Sequence, residues 1–575
     1  MIDRPTTPRP GSETATLHAA NAQFKAGRHD EAATLYAETL RINPAQVQAL
    51  FFLGLIRLNA AALDEAEPLF MRCLAVSPAG PLAGFALHKL GCVKQRRGDD
   101  QAAIAFIEGA VKLKPDLAPA FNDLAVSLHR AGRHAQAAEA LDRATRLDPA
   151  NVMAQQNHGL VLAGLGRDTE ALAAFRAALA LEPQSAELWL QLGLTALKTE
   201  DAKEAETAFR RVLALDPASL DGRLHLAEAL DRQHRFDEAD QECQDWARRQ
   251  GVVVKPCLSD KVEARVFVVG AAGLCNTATR FLFDRERFET IAVNLLASDD
   301  SDDDDLPGAS PLPPCDIVFN AVSDADRGAR FLDRVEGFCR KLDRPVLNPP
   351  ARIAATRRDR IAALLGDIGG LVVPATRRVT RVELESLALS KEPFAVALLV
   401  RPAGSHGGHD LTRMEQPSAL AAYLASMPQL DHYLTDYHDY RGADGRYRKY
   451  RFIFVDREVY PYHLAIAQDW LVHYWRANMA SPESRREEAN FLADYESVLG
   501  GDLVATVQAV ARRLDLDYGG MDCAVTADGK LLLFEANASM LVHLDDVSED
   551  FAYKREHVPK IAAAIGRLVA RKLGR

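Results

Sequence analysis

The 575-residue chain is too long for one hydrophobic core, and its length predicts about three or four domains. The composition, with 48% hydrophobic and 26% charged residues, is typical of a soluble globular protein. A net charge of −11 argues against a nucleic-acid-binding protein or one held to an anionic membrane by charge, and no apolar run approaches the roughly 20 residues that a membrane span requires.

The N-terminal segment and the cysteines indicate the cellular compartment. Residues 1–12 lack the hydrophobic core of a signal peptide and are expected to form a disordered lead. The eight cysteines include no CxxC pair, so their spacing predicts neither a disulfide framework nor a zinc site. We therefore expect a cytoplasmic protein with reduced thiols.

The first half of the chain is periodic. Prolines that follow predicted helices are spaced by 34 residues, with one interval of 37 that fits a longer loop. They are Pro44, Pro78, Pro115, Pro149, Pro183 and Pro217. A small residue recurs in the same register at Ala20, Gly54, Gly91, Ala125, Gly159, Gly193 and Ala227. Glycines between the two helices of a unit are Gly27, Gly98, Gly132 and Gly166.

This pattern resembles the tetratricopeptide repeat, in which each 34-residue unit is a pair of helices. Seven units are predicted over residues 13–248, and the resemblance implies an all-α superhelix with a concave groove that binds a peptide or a partner protein. The alternative is an element for stacking or dimerisation that has no separate ligand. Residues 249–262 are predicted to be a linker.

After residue 262 the pattern changes to strands that alternate with helices. Strands are predicted at residues 264–270, 316–321 and 345–348, which implies a small, doubly wound α/β domain over residues 263–350. The glycine-containing loop at residues 271–276 is weak evidence for a nucleotide site.

A basic helix and a glycine-rich loop follow. Residues 356–365 are predicted to be a helix with a basic start, and residues 393–402 a strand that leads through Arg401 into the loop 403–411. Glycines in a loop let backbone N–H groups approach phosphate oxygens, and an arginine beside them adds fixed charge. The alternative is a flexible surface turn.

A hairpin over residues 449–460 places two cations on a half-buried strand. Alternation puts Lys449, Arg451, Ile453 and Val455 on one face. Cations at such positions favour charge neutralisation of a ligand, although a strand with internal salt bridges would show the same pattern.

The last predicted hairpin, residues 521–537, carries two carboxylates. A two-residue turn at Asp528 and Gly529 places Asp522 opposite Glu535, with Asn537 on the same face as Glu535. Facing carboxylates repel unless a cation lies between them, and this oxygen donor set suits Mg²⁺. The alternatives are a solvated acidic edge hairpin, and a three-residue turn that would place Phe534 opposite Asp522.

In this order the elements over residues 262–575 resemble the ATP-grasp ligases of the glutathione synthetase and RimK-like type. The resemblance implies an α/β plus α+β ATP-grasp module, with the ATP-grasp domain at residues 351–575, its lid at about 370–435 and its final sheet and helices at about 436–575. It implies ATP as cofactor with two Mg²⁺ ions, or Mn²⁺ in their place. The residues implied to hold the metal are Asp522, Glu535 and Asn537.

The same resemblance assigns residues to the nucleotide and to the reaction. Arg451 and Arg401 would neutralise the transferred phosphoryl group. The residues implied to bind the nucleotide are Arg358, Arg401, Ser405, Gly407, Gly408, Asp436, Tyr437 and Lys449. The chain departs from the family pattern because Arg401 replaces the usual strand-end lysine, and Arg358 or Arg360 replaces a second lysine; arginine is not an equivalent substitute.

The function predicted from these features is an ATP-dependent ligase. It would join a small carboxylate to an amine or a thiol through an acyl-phosphate, while the repeats recruit a peptide or protein. No nucleic acid or membrane partner is expected. The alternative is a repeat scaffold whose ATP-grasp domain binds nucleotide but is catalytically weak.

Overall fold

The computed structural model describes residues 12–297, 312–390, 392–405, 410–427, 430–474, 477, 479–542 and 549–575. The chain forms two compact units, Met1–Ala229 and Leu230–Arg575. All but the last residue of the predicted lead lies outside the described residues. Ser12 is described and caps the first helix, because its Oγ accepts a hydrogen bond from the backbone N–H of Ala15 at 3.3 Å.

Helices occupy most of the described residues 12–250, and they follow one another as pairs. They are α1 (Glu13–Lys25), α2 (His29–Ile42), α3 (Val47–Asn59), α4 (Leu63–Val76), α5 (Ala83–Arg96), α6 (Asp100–Leu113), α7 (Ala118–Arg130), α8 (His134–Leu147), α9 (Val152–Gly164), α10 (Asp168–Leu181), α11 (Ala186–Lys198), α12 (Ala202–Leu215), α13 (Leu220–Asp231) and α14 (Phe236–Gln250). The pairs match the seven units predicted from the period. The division between the compact units falls within α13.

The recurring small residues are positions of close helix approach. A Cβ added to Gly159 would lie 2.6 Å from the ring of Phe175, and one added to Gly193 would lie 2.6 Å from the ring of Phe209. Both rings are fully buried. The first helix of each of these units therefore packs directly on an aromatic ring of the second helix.

The first helices of consecutive units also contact one another. The contacts run from α3 to α5, from α5 to α7, from α7 to α9 and from α9 to α11. Side chains on these helices can therefore meet across successive repeats, which forms an inner layer along the solenoid.

The described residues of the second unit form three sheets, of which the first follows α14. Its strands are β1 (Val253–Lys255), β2 (Ala264–Ala271), β3 (Phe288–Leu295), β4 (Ile317–Asn320) and β5 (Val346–Leu347), in the order β1-β3-β2-β4-β5. β3, β2, β4 and β5 are parallel, and β1 is an antiparallel edge strand. The three predicted strands are present, and part of the predicted linker forms β1.

The two faces of this sheet are covered by different parts of the chain. Helix α15 (Ala329–Leu342) packs on one face, where Phe331 joins the core around Phe267. On the other face, Val266 shares a core with Ile561 and Ile565 of helix α23 (Lys554–Lys572). The C-terminal helix α23 thus completes the core of the sheet predicted over residues 263–350.

The second sheet is antiparallel. Its strands are β7 (Thr376–Val379), β8 (Leu398–Pro402), β9 (Thr412–Met414) and β10 (His432–Asp436), in the order β7-β10-β8-β9. Helices α18 (Arg381–Ala388) and α19 (Pro417–Ser426) pack against it through Leu384 and Leu420. The strand predicted to begin at residue 393 begins at Leu398.

The third sheet carries the charged residues singled out in the sequence. Its strands are β6 (Leu371–Val372), β11 (Tyr447–Val455), β12 (Glu458–Ala467), β13 (Tyr518–Val525) and β14 (Leu531–Asn537), in the order β12-β11-β13-β14-β6. All pairs are antiparallel except β14 with β6. The remaining helices are α16 (Pro350–Ala355), α17 (Ile361–Leu365), α20 (Pro482–Ala493), α21 (Tyr495–Leu499) and α22 (Gly501–Leu514).

The basic helix predicted for residues 356–365 is a helix only in its second half. Helix α16 ends before Thr356, and only α17 continues the predicted segment as a helix. Within the turn Arg357 donates two hydrogen bonds to the carboxylate of Asp359, at 2.6 and 2.8 Å. Arg358 therefore projects from a turn. None of the described helices combines the length and apolar character needed to cross a membrane.

Candidate functional site

The hairpin of β13 and β14 closes through three residues. The backbone N–H of Thr526 donates to the carbonyl of Lys530 at 2.9 Å, which leaves residues 527–529 as the loop. Gly529 has a left-handed φ of +75°, as expected at this position of a three-residue hairpin loop. The predicted two-residue turn is therefore wrong.

A β-bulge restores the pairing that the longer loop would have removed. Cys523 pairs with Leu533, but Asp522 pairs with Glu535, so Phe534 is an additional residue in β14. The Phe534 ring packs edge-on against Tyr440 with centroids 4.9 Å apart. Asp522 and Glu535 thus face each other as predicted, although the turn that led to this prediction differs.

Strand β11 supplies two cations to Asp522. Arg451 lies opposite Asp522 in the register, and its Nε and Nη2 donate to the two carboxylate oxygens at 2.6 and 2.8 Å. Lys449 Nζ lies 3.1 Å from Oδ2. The side chains of Lys449 and Arg451 therefore share one face of β11, as the alternation predicted.

Asp522 is held in its ionised form. The carboxylate is almost fully buried, which acts to raise its pKa, but the attraction of Arg451 and Lys449 outweighs burial and lowers the pKa well below the ordinary value. Burial likewise acts to lower the pKa of Arg451, and the Asp522 charge outweighs it and raises the pKa. Both groups are charged at neutral pH.

Glu535 has partners from two other segments. Arg358 Nη2 donates to Glu535 Oε1 at 2.8 Å from the turn between α16 and α17. Asn537 Nδ2 donates to the same oxygen at 2.6 Å, while Asn537 Oδ1 accepts the backbone N–H of Ser539 at 2.8 Å. The structure therefore brings Arg358, Glu535 and Asn537 together beside Asp522.

Arg401 lies at the end of β8, where the glycine-rich loop begins. Its guanidinium is buried and donates from Nε to Ser405 Oγ at 3.1 Å and from Nη2 to the Ser405 carbonyl. Burial and the nearby charge of Arg358 lower the pKa of Arg401, and attraction to Glu535 opposes them. Gly407 and Gly408, predicted to cover phosphates, lie outside the described residues.

Asp436 is the last residue of β10 in the second sheet, and Tyr437 follows it. Their backbone N–H groups donate to the carbonyls of Ala375 and Ala397, at 3.1 and 2.8 Å. The Tyr437 ring lies under the guanidinium of Arg413 at 3.9 Å from its centroid. Both N–H groups are thus used in joining this segment to neighbouring chain.

A buried network of polar side chains lies beside Arg451, and the sequence did not predict its contacts. His463 lies opposite Arg451 because a bulge at Tyr462 shifts the register of β12, and its ring stacks on Tyr474 with centroids 4.5 Å apart. His463 Nε2 has no hydrogen-bond partner among the described residues. Burial and the charge of Arg451 lower its pKa well below the ordinary value, so the ring is neutral at neutral pH.

Glu488 extends this network. It is fully buried and accepts hydrogen bonds from the backbone N–H of Leu464 at 3.2 Å and from Tyr474 at 3.1 Å, with Lys554 Nζ at 3.6 Å. Burial raises the pKa of Glu488. The only sequence signal for Glu488 is an acidic residue on the apolar face of α20, and its partners come from three distant segments.

The donor set fits a hard divalent ion such as Mg²⁺. Asp522 and Glu535 offer carboxylate oxygens from directly opposed positions, where Cβ atoms are about 5 Å apart. An amide oxygen has two lone pairs, and the Asn537 oxygen uses one for the Ser539 N–H, so one remains for a metal. Ions bound here would replace Lys449 and Arg358 as partners of the carboxylates.

Comparison with known proteins identifies the repeats. Family models described as tetratricopeptide repeat match residues 17–81, 86–117, 122–186 and 196–251. The chain therefore carries tetratricopeptide repeats between residues 17 and 251, in agreement with the periodicity and the helix pairs. A search of curated proteins gave no match.

Solved structures of repeat proteins are similar to part of the chain. MamA from Desulfovibrio magneticus RS-1 has 20% identity over 30% of this chain and 97% of its own, with a TM-score of 0.28. Pseudomonas aeruginosa PilF has 18% identity over 38% of this chain and 97% of its own, with a TM-score of 0.33. YrrB, described as a TPR protein with an unusual peptide-binding site, has 19% identity over 32% of this chain and 95% of its own, with a TM-score of 0.30.

Proposed function

We propose that the protein is an ATP- and Mg²⁺-dependent ligase that joins a carboxylate to an amine or a thiol through an acyl-phosphate. One observation carries the proposal. Asp522 and Glu535 face each other across two strands, and each is paired with cations from other segments: Arg451 and Lys449 for Asp522, and Arg358 for Glu535.

The balance of charges supports a polyphosphate ligand. Two facing carboxylates destabilise a sheet unless cations lie beside them. Two cations would suffice to neutralise the two carboxylates. Four basic side chains surround them, however: Arg451, Lys449, Arg358 and Arg401. Cations and carboxylates at close range suit phosphate oxygens that are bridged by metal ions.

The order of the three sheets also supports the proposal. A mostly parallel sheet, an antiparallel sheet with a glycine-rich loop, and a sheet with paired carboxylates follow in the order of the ATP-grasp ligases, which the sequence resembles. In such an enzyme Mg²⁺ neutralises the ATP phosphates. We assign metal binding to Asp522, Glu535 and Asn537, and contact with the transferred phosphoryl group to Arg451 and Arg401.

We assign the nucleotide to the side chains around this pair. Lys449 and Arg358 are assigned to phosphate oxygens, which they would contact once a metal ion held the carboxylates. Ser405 fixes the guanidinium of Arg401 through two hydrogen bonds, which orients its planar donors before a ligand arrives. Asp436 and Tyr437 are assigned to the adenine side through their carbonyl groups, because their N–H groups are already bonded.

The repeats are proposed to recruit a peptide or protein to the ligase. Tetratricopeptide repeats suggest binding of this kind, because stacked helix pairs present an extended inner surface. Tethering such a surface to the ligase raises the effective concentration of the bound substrate.

The test is the release of ADP and phosphate by purified protein with Mg²⁺ and a pool of amino acids and short peptides. Wild type should turn over, and Glu535→Ala should lose at least about 100-fold in rate, as expected when charge stabilisation of a phosphoryl transfer is removed. Glu556→Ala, on the exposed face of α23, is the matched control and should retain full activity. Equal release by wild type and Glu535→Ala would disprove the ligase.

Two observations favour a second function, a repeat scaffold that binds nucleotide without turnover. Both carboxylates are already neutralised by the protein's own cations, and arginine replaces lysine at the end of β8. For this function, calorimetry would detect binding of Mg²⁺–ATP that Glu535→Ala abolishes, while ADP release would stay at the level of the variant.

A further inference from the structure

Three metal-ligating side chains meet in the repeats, far along the chain from the charged hairpin. His88 and Cys92 are four residues apart on α5, which places them on the same helix face, and Asp123 reaches them from α7 of the next unit. Their ligand atoms all lie within 4.8 Å of one another. The spacing of cysteines along the sequence gave no sign of this cluster, because its ligands come from two repeats.

The distances are close to those of a tetrahedral site. His88 Nε2 lies 2.7 Å and Cys92 Sγ lies 3.5 Å from the same oxygen, Asp123 Oδ2. Zinc bound at about 2.1 Å to nitrogen and oxygen and about 2.3 Å to sulfur would separate these atoms by about 3.4 to 3.6 Å. The sulfur–oxygen distance agrees with this range, and the nitrogen–oxygen pair must separate by less than about 1 Å.

Neighbouring amides hold the aspartate in place. Gln95 Nε2 donates to the Asp123 carbonyl at 2.6 Å and to Ser127 Oγ at 2.8 Å. Asn122 Nδ2 donates to Asp123 Oδ1 at 3.3 Å, so that oxygen is occupied and Oδ2 is directed at the cluster. Hydrogen bonds to the ligands of this kind are typical of built metal sites.

The burial of the three side chains indicates where a fourth ligand would enter. His88 is 2% exposed, whereas the Asp123 side chain is 31% exposed, so the cluster is closed on the helix α5 side and open beside Asp123. Both helices belong to the inner layer of first helices described above. An incomplete coordination sphere therefore faces the surface along which repeats bind peptides.

We propose that His88, Cys92 and Asp123 bind one divalent transition-metal ion of the zinc class and leave a fourth position open to a ligand on the inner layer. The Cys92 S–H bond breaks, its proton passes to solvent, and a sulfur–metal bond forms, while His88 binds as the neutral ring and Asp123 as the carboxylate. A thiolate and an imidazole select zinc over Mg²⁺. The fourth position fits a histidine or carboxylate side chain of a bound peptide.

The simpler account is a hydrogen-bonded triad that only joins two repeats. A thiol is a weak hydrogen-bond donor, and a serine at position 92 would perform that task at least as well. The two accounts therefore differ in what Cys92→Ser does: it keeps a triad and removes the thiolate that a metal requires.

The experiment titrates metal-free, full-length protein with Co²⁺, followed by Zn²⁺ competition against a chromophoric chelator. Wild type should take up one Co²⁺ with a thiolate-to-metal charge-transfer band, which Zn²⁺ abolishes. Cys92→Ser and His88→Ala should lose the band, and their Zn²⁺ affinity should fall by at least about 100-fold, since even outer partners of a metal site contribute 10- to 100-fold. Cys257→Ser, a cysteine in the other compact unit, is the matched control and should behave as wild type.

Three outcomes would overturn the proposal: no stoichiometric Co²⁺ uptake by wild type, a band that persists in Cys92→Ser, or a band that Cys257→Ser removes. Circular dichroism of Cys92→Ser checks that the repeats remain folded. His88→Asn is a second variant, which keeps a polar side chain at the buried position if His88→Ala does not fold. None of these readouts depends on ATP, so they stand apart from the test of the ligase.

Discussion

In the repeats, residues at equivalent positions take the same conformation even when their chemistry differs. Gly27 and Gly166 turn between paired helices with φ of +73°, and Ala61 and Glu200 occupy the equivalent turns with φ of +57° and +64°. Left-handed backbone is costly for residues other than glycine, by roughly 1 to 2 kcal/mol. Packing of the flanking helices therefore imposes the turn on whatever residue is there.

In the third sheet, by contrast, the charged site depends on departures from regular pairing. Additional residues Tyr462 in β12 and Phe534 in β14 shift the registers so that His463 faces Arg451 and Glu535 faces Asp522. Bulges of this kind re-aim side chains at chosen partners. The repeats therefore keep one geometry although the residues at equivalent turns differ. In the third sheet, by contrast, both bulges serve to align the residues of a single site.

The largest effect should follow from removing the shared anion of that site. Asp522→Asn removes the carboxylate that pairs with the partly buried Arg451 and Lys449, and breaking a buried pair costs about 3 to 5 kcal/mol. We expect the free energy of unfolding to fall by about 3 kcal/mol in chemical denaturation. Hydrogen exchange should locate the loss in β11 and β13.

A control variant and the dependence of stability on acidic pH test whether this loss comes from the ion pairs of Asp522. Asp367→Asn breaks an exposed pair with Arg513 and should change stability far less. The pKa of Asp522 is lower in the folded protein, so its contribution is present above the ordinary pKa of about 4 and is lost as the pH falls below that value. In Asp522→Asn the free energy of unfolding should therefore fall less between about pH 4 and lower pH than in wild type. An unchanged pH dependence would contradict the ion pairs of Asp522 with Arg451 and Lys449.

A smaller effect should follow from crowding the repeats. Gly193→Ala places a Cβ 2.6 Å from the Phe209 ring, and overpacking of this kind costs about 1 to 3 kcal/mol. Adding Phe209→Leu removes the clashing ring, so the double variant should be more stable than the sum of the two single losses predicts. Additive losses in denaturation of the four proteins would show that the two residues do not couple.

The same comparison explains what the sequence could predict. The helix pairs follow from the 34-residue period, and the prediction that Asp522 lies opposite Glu535 is confirmed. The predicted two-residue turn is wrong, because the loop has three residues and a bulge at Phe534 restores the pairing. The Phe534 ring packs against Tyr440, a contact that no local pattern encodes. The partners of Glu488 could not be predicted either, since the cited ones lie outside helix α20, 24 and 14 residues away.

The smallest effect tests whether packing really imposes the turns of the repeats. Ala61 has φ of +57° and Ala60, its neighbour, has φ of −78°, and both are exposed. Ala61→Gly relieves the left-handed alanine, a gain that exceeds the entropy cost of glycine, so we expect stabilisation by about 0.5 to 1 kcal/mol. Ala60→Gly has only the entropy cost and should destabilise by a similar amount. Thermal or chemical unfolding of the two variants should therefore shift in opposite directions, and shifts of the same sign would mean that the turn at Ala61 carries no strain.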